Sequence, residues 1–123
     1  MMKFHLDAPA GVNLVRGYGP GQLHVNQQTH TSSVILTATV VIERWRPTSA
    51  LDITTADLEP LLDLGAEVVL LGTGSRQQFP DPGVLRILYE QRIGVEVMDT
   101  SAACRTFNVL VAEGRPVAAA LIV

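Results

Sequence analysis

Apolar and polar positions divide this chain into two halves with different periods. In the first half they alternate at short range. Val12, Leu14 and Val15 lead to Tyr18, and Gly19-Pro20-Gly21 then turns the chain into Leu23 and Val25. Glycines flanking a proline mark a tight turn, because glycine accepts positive φ while proline presets the corner. Asn26-Gln27-Gln28 is a weaker second turn. From Val34 the even positions Val34, Leu36, Ala38, Val40 and Ile42 are apolar, while Thr37, Thr39 and Glu43 stand among the odd ones. That pattern predicts one half-buried strand or a pair of short ones, ended by Trp45-Arg46-Pro47. The first half reads as antiparallel β.

The second half alternates helix and strand. Thr54-Thr55-Ala56-Asp57 has the form of a capping box, but Pro60 would then fall beyond the first turn and remove an internal hydrogen bond. A helix from Asp57 to Leu64, ended by Gly65, avoids the conflict and is the expectation. A strand over 67–72 follows, then a helix from Pro82 to Arg92 with Val84, Leu85, Leu88 and Tyr89 at helical spacing. A strand over 94–98 precedes a helix from Thr100 to Glu113, closed by Gly114 with Pro116 beyond. Val117 to Val123 is a last, wholly apolar strand, suited to a sheet covered on both faces. Parallel strands joined by crossovers would bring the ends of strands 67–72 and 94–98 to one rim, where open α/β folds hold ligands.

Composition narrows the class. The 123 residues, 47% apolar and 17% charged, predict a single compact domain over 1–123, burying roughly two-thirds of its unfolded surface. The formal charge is −3, with Lys3 the one lysine beside eight scattered arginines. No basic stripe exists to follow a phosphate backbone, so nucleic acid is not an expected partner. Cys104 stands alone, which rules out an internal disulfide and fits a reducing compartment. His5 and Asp7 interrupt the stretch where a signal peptide needs an apolar run. No run is long enough to span a bilayer. A soluble, cytoplasmic protein is expected.

Three motifs carry a resemblance. Gly72-Thr73-Gly74 after an apolar strand, the stretch from Met98 to Asn108, and the run Glu113-Gly114-Arg115-Pro116-Val117-Ala118-Ala119-Ala120 resemble one small single-domain family. It includes a mitochondrial respiratory complex I assembly factor and the adipogenesis-associated protein. Gly17-Tyr18 and Trp45 extend the likeness over nearly the whole chain. The resemblance implies a three-layer α/β fold: a central mixed, largely parallel sheet with helices, plus a small antiparallel β portion from the N-terminal half. It also implies an assembly role without known catalysis. No Arg-rich transit segment is present, so the mitochondrial location is not carried over.

Several residues could carry chemistry, and each has a plainer structural reading. Gly72-Thr73-Gly74 invites an anion loop, with Arg76 nearby. A phosphate loop, however, needs Lys-Ser/Thr, and a dinucleotide fingerprint needs a third glycine where Gln77 stands. The plainer reading is a glycine-assisted exit from a buried strand, where a side chain would clash with the next layer. Thr100, Cys104 and Asn108 form one helical stripe that could face a crevice, or Cys104 could simply be a small buried residue. No histidine in the helical half supplies a base, since His5, His24 and His30 all precede it. Glu113 sits where the helix dipole opposes an anion, so Arg115 could pair with it or stay free to hold a carboxylate. Asp99 reads as an N-cap. His24 and His30 could face each other across a hairpin, but no third ligand lies near. Trp45 and Tyr18 are interface anchors or core.

The expected site is therefore Gly72, Thr73, Gly74, Arg76, Thr100, Asn108, Glu113 and Arg115, used for ligand or partner binding. No catalytic residue, metal ligand or cofactor is expected. The leading reading is a non-enzymatic interaction or assembly factor with a protein partner. The other is a small-molecule or anion binder, or an enzyme, using the crevice between Gly72–Gly74 and Asp99-Thr100.

Overall fold

A computed structural model describes residues 2–3 and 11–123. His5 and Asp7 lie outside the described residues. The chain builds two sheets. Strands β1 (Met2–Lys3), β2 (Val15–Gly19), β3 (Gln22–Val25) and β4 (Gln28–His30) form an antiparallel sheet in sequence order. Strands β5 (Val34–Leu36), β6 (Val41–Ile42), β7 (Val68–Thr73), β8 (Gly94–Met98) and β9 (Val117–Ile122) form a mixed sheet in the order β6-β5-β9-β7-β8. β7 is parallel to both neighbours, and β5 is antiparallel to β9.

The wholly apolar β9 lies in the middle of the mixed sheet, and the alternation of its side chains divides the core. Val117, Ala119 and Leu121 join Leu70, Val34 and Leu36 on one face. Ala118, Ala120 and Ile122 join Val69, Leu71 and Ile35 on the other. Three consecutive alanines let both flanking layers approach the sheet closely. On the first face lies α3 (Thr100–Ala112), whose Ala103, Cys104, Phe107 and Val111 also meet Leu14 and, from the antiparallel sheet, Val15, Leu23 and Val25. The second face is covered by short helical turns, among them α2 (Arg86–Glu90), carrying Ile53, Leu58, Leu61, Leu85 and Leu88, with Trp45 beside them. The result is a three-layer α/β fold with the small β portion beside α3.

Three details differ from the sequence reading. The helix expected over 82–92 is a 3-10 turn, Pro82–Leu85, that runs into a short α-helix, Arg86–Glu90. Val34 to Ile42 is a pair of short strands, with the Thr37 hydroxyl accepting the amides of Thr39 and Val40 at the turn between them. The first helix begins earlier than expected. α1 (Thr55–Leu58) opens with a full capping box between Thr54 and Asp57, and a 3-10 segment, Glu59–Asp63, then takes over. Pro60 lies at the start of that tighter segment, where its missing N–H costs nothing. The cap and the proline were not in conflict. The helix changes type between them.

Candidate functional site

The ends of β7 and α3 share a rim. Gly74 amide donates to the Thr100 hydroxyl at 2.8 Å, and Thr100 amide returns a bond to the Gly74 carbonyl at 2.9 Å. The Thr100 hydroxyl also donates to the Ile122 carbonyl at 2.6 Å. Asp99 caps α3 through its bond with the Ala102 amide at 2.8 Å. These bonds close the expected crevice between Gly72–Gly74 and Asp99-Thr100. A Cβ on Gly72 would stand 3.0 Å from both Leu121 Cδ2 and Thr100 Oγ1. Gly72 is there because nothing larger fits.

The opening lies on the other side of the Gly74 turn. A cavity of about 340 Å³ is walled by Thr73, Gly74, Ser75, Arg76 and Gln78 on one side and by Tyr18, Pro20 and Gly21 on another, with Thr48, Ser49, Ile122 and Val123 completing it. Thr73 fixes the loop, since its hydroxyl donates to the Arg76 carbonyl at 2.7 Å and accepts the Gln78 amide at 3.0 Å. The Gln77 side chain donates to the Val97 carbonyl at 2.9 Å and ties the same loop to β8. Burial pushes the Tyr18 phenol above its ordinary pKa, with Cys104 and Asp99 adding to the rise and the Thr100 hydroxyl opposing it.

Of the eight expected site residues, Thr73, Gly74 and Arg76 line this cavity. The others have different tasks. Asn108 is buried and clasps Val15 at both ends: its Oδ1 accepts the Val15 amide at 2.9 Å and its Nδ2 donates to the Val15 carbonyl at 2.8 Å. The Thr100–Cys104–Asn108 stripe is therefore buried, with Thr100 bonded to the end of β9, Cys104 in the core and Asn108 on the antiparallel sheet. Burial pushes the Cys104 thiol up to about 12, which keeps it protonated and unreactive near neutral pH.

Glu113 and Arg115 are exposed and form no ion pair with each other. Gly114, at φ 73°, ends α3 in a Schellman motif, with its amide on the Val111 carbonyl and the Arg115 amide on the Leu110 carbonyl. That reversal leaves both side chains at the far end of α3 from Thr100, about 20 Å away by the rise of a 13-residue helix. Glu113 and Arg115 thus stand apart from Gly74 and Thr100, at the other end of α3.

The histidine pair is likewise absent. His24 stands opposite Thr29 and His30 opposite Leu23, so neighbouring rows place them on opposite faces. His30 is buried, with Nδ1 3.5 Å from a Glu43 carboxylate oxygen. Trp45 is core, its indole N–H bonded to the Asp57 carbonyl at 2.8 Å.

Sequence spacing gave no sign of Thr48, Ser49, Pro20 or Gly21 in the cavity wall, because distant loops supply them. It also missed a clasp beneath that wall. Arg46 donates from Nε and Nη2 to the two Asp57 oxygens at 3.0 and 2.6 Å and from Nη1 to Asp52 Oδ1 at 3.0 Å, with a further bond to the Asp52 carbonyl. The clasp holds the Asp57 carboxyl down at about 2, chiefly through the Arg46 hydrogen bonds.

Residues 15–122 match the family described as "Protein of unknown function (DUF498/DUF598)". The chain belongs to this family. It is 41% identical over 83 residues to a Xenopus tropicalis protein named NADH dehydrogenase (ubiquinone) 1 alpha subcomplex assembly factor 3, a match covering 66% of this chain and 45% of that one. The chain thus spans under half of that relative's length. It is 29% identical over 106 residues to the 13 kDa major membrane protein of Francisella tularensis, covering 85% and 86% of the two. Among solved structures, a Bordetella parapertussis protein superposes with a TM-score of 0.84 at 40% identity, over 92% of this chain and 98% of the other. No helix among the described residues is long and apolar enough to cross a membrane.

Proposed function

We propose that this chain is a non-catalytic interaction module of the assembly-factor kind, and that it meets its protein partner at the rim formed by the Gly74–Phe79 loop. The observation that carries the reading is the 41% identity with a protein named as an NADH dehydrogenase assembly factor. The loop suits the role. Phe79 is 63% exposed, and Arg76 beside it makes no ion pair among the described residues. Exposed aromatic and arginine side chains are the residue types that dominate binding energy at interfaces. The α3 polar residues Thr100 and Asn108 support the same division of labour, since both are occupied inside the fold.

The test is affinity capture from a native extract of the source organism with three baits: the parent chain, Phe79→Asp and Glu113→Ala. The reading expects a recurrent partner that is retained by Glu113→Ala and lost by Phe79→Asp at unchanged thermal stability. A partner that Phe79→Asp retains, or that Glu113→Ala loses, overturns it, as does reproducible recovery of nothing. The same reading places the chain in the cytoplasm. Fractionation tests this against the name of the Francisella relative, and recovery in the membrane pellet would contradict it.

A further inference from the structure

The cavity has a chemistry that docking does not require. We propose that it binds a small molecule bearing an oxyanion, a phosphate or carboxylate group, with Arg76 as the counter-charge. The proposal goes beyond the docking reading and does not rest on it.

The described wall is rich in donors. Tyr18, Thr48, Ser49, Thr73, Ser75 and Gln78 contribute polar groups, and among the described residues Arg76 is the one charged side chain in the wall, with no aspartate or glutamate there. The side chains of Thr48, Ser49, Ser75 and Arg76 make no hydrogen bond or ion pair with other described residues, and the amides of Ser75 and Arg76 are likewise without acceptors there. Hydroxyls, free amides and one guanidinium around a recess form an anion's coordination set. A cation would meet the wrong charge, and an apolar ligand would find little beyond Pro20, Ile122 and Val123.

The recess is also fixed before anything enters it. Thr73 holds the Arg76 carbonyl and the Gln78 amide, Thr100 holds Gly74 from both sides, and Gln77 anchors to β8. A ligand would not have to order this loop, which removes one of the main costs of binding. At about 340 Å³ the cavity has room for a small metabolite and more than a lone ion.

The experiment is an amide-resolved NMR titration of the full chain with glycerol 3-phosphate, with succinate and with glycerol. We expect saturable shifts centred on residues 73–78, 20–21 and 48–49 with at least one of the two anions and none with glycerol. Which anion saturates first tells phosphate from carboxylate. Arg76→Gln should weaken binding at least about tenfold, the effect of losing one charge-assisted contact, while Arg76→Lys keeps part of it. Arg76 is exposed and unpaired, so thermal unfolding of both variants should match the parent, and Ser49→Ala offers a second, charge-neutral weakening. No saturation with either anion up to about 10 mM overturns the proposal. So do equal shifts with glycerol, or an Arg76→Gln variant that titrates like the parent. Each of those results leaves the docking reading standing.

Discussion

Replacing Asn108 by alanine tests the claim that the polar stripe of α3 is structural. In the parent, Asn108 satisfies both backbone groups of Val15 inside the contact between α3 and the antiparallel sheet. Alanine leaves a buried N–H and a buried C=O without partners. Each such group costs about 1–3 kcal/mol, so the expected loss for the two is about 2–6 kcal/mol. With an unfolding entropy of about 2.1 cal/mol/K per residue, a chain of 123 residues moves about 4 °C per kcal/mol. The melting temperature followed by circular dichroism should therefore fall by about 8–24 °C.

Asn108→Asp sharpens the test. Its carboxylate can still accept the Val15 amide, but its second oxygen would face the Val15 carbonyl, so burial and repulsion raise its pKa above the unfolded value. A raised folded-state pKa means that stability is retained below the unfolded carboxylate pKa and lost as pH rises through the folded one. The variant should thus approach the parent in acid and fall away from it near neutrality. A change in melting temperature under about 3 °C for Asn108→Ala, with the fold intact, would refute the clasp.

Other outcomes follow from single contacts. Gly72→Ala places a Cβ 3.0 Å from Leu121 and Thr100, so urea unfolding should show a loss of about 1–3 kcal/mol, and an unchanged midpoint would contradict the packing. Asp57 has its folded pKa depressed to about 2 by the Arg46 clasp, so its contribution is present above the unfolded carboxylate pKa and lost as pH falls toward about 2. The stability gap between the parent and Asp57→Asn should close over that acid window and stay constant above it. Cys104, with its thiol pushed up to about 12, should resist iodoacetamide at about pH 8 in the native state and react readily in denaturant. Fast native labelling would mean that the helix–sheet contact opens.

The parts of the fold that were legible share one property: their signal is local. β8 was visible between Arg92 and Asp99, and α3 between its Asp99 cap and its Gly114 stop. β9 could be placed inside a sheet because it has no polar position at all. The helix start at Thr54 was half legible. The capping residues were seen, but Pro60 argued against them until the switch to a 3-10 turn removed the conflict.

The wall of the candidate cavity was legible only where it coincided with such local signals. Thr73, Gly74 and Arg76 follow directly from the end of β7. Thr48 and Ser49 reach the same cavity only through the fold, and nothing in their sequence context marks them. Asn108 and Arg115 misled for the same reason. Helical spacing does align the stripe on α3, but the partner of Asn108 is Val15, 93 residues away. Glu113, placed against the helix dipole, suggested a compensating charge at Arg115, whereas the Schellman turn sends both into solvent.

The central claim is that recognition belongs to the Gly74–Phe79 rim and not to the far end of α3. A photo-crosslinking residue placed at position 79 in one sample and at position 113 in another tests it directly, in cells of the source organism. The account predicts a discrete adduct from position 79 and none from position 113. An adduct from position 113 alone would contradict it.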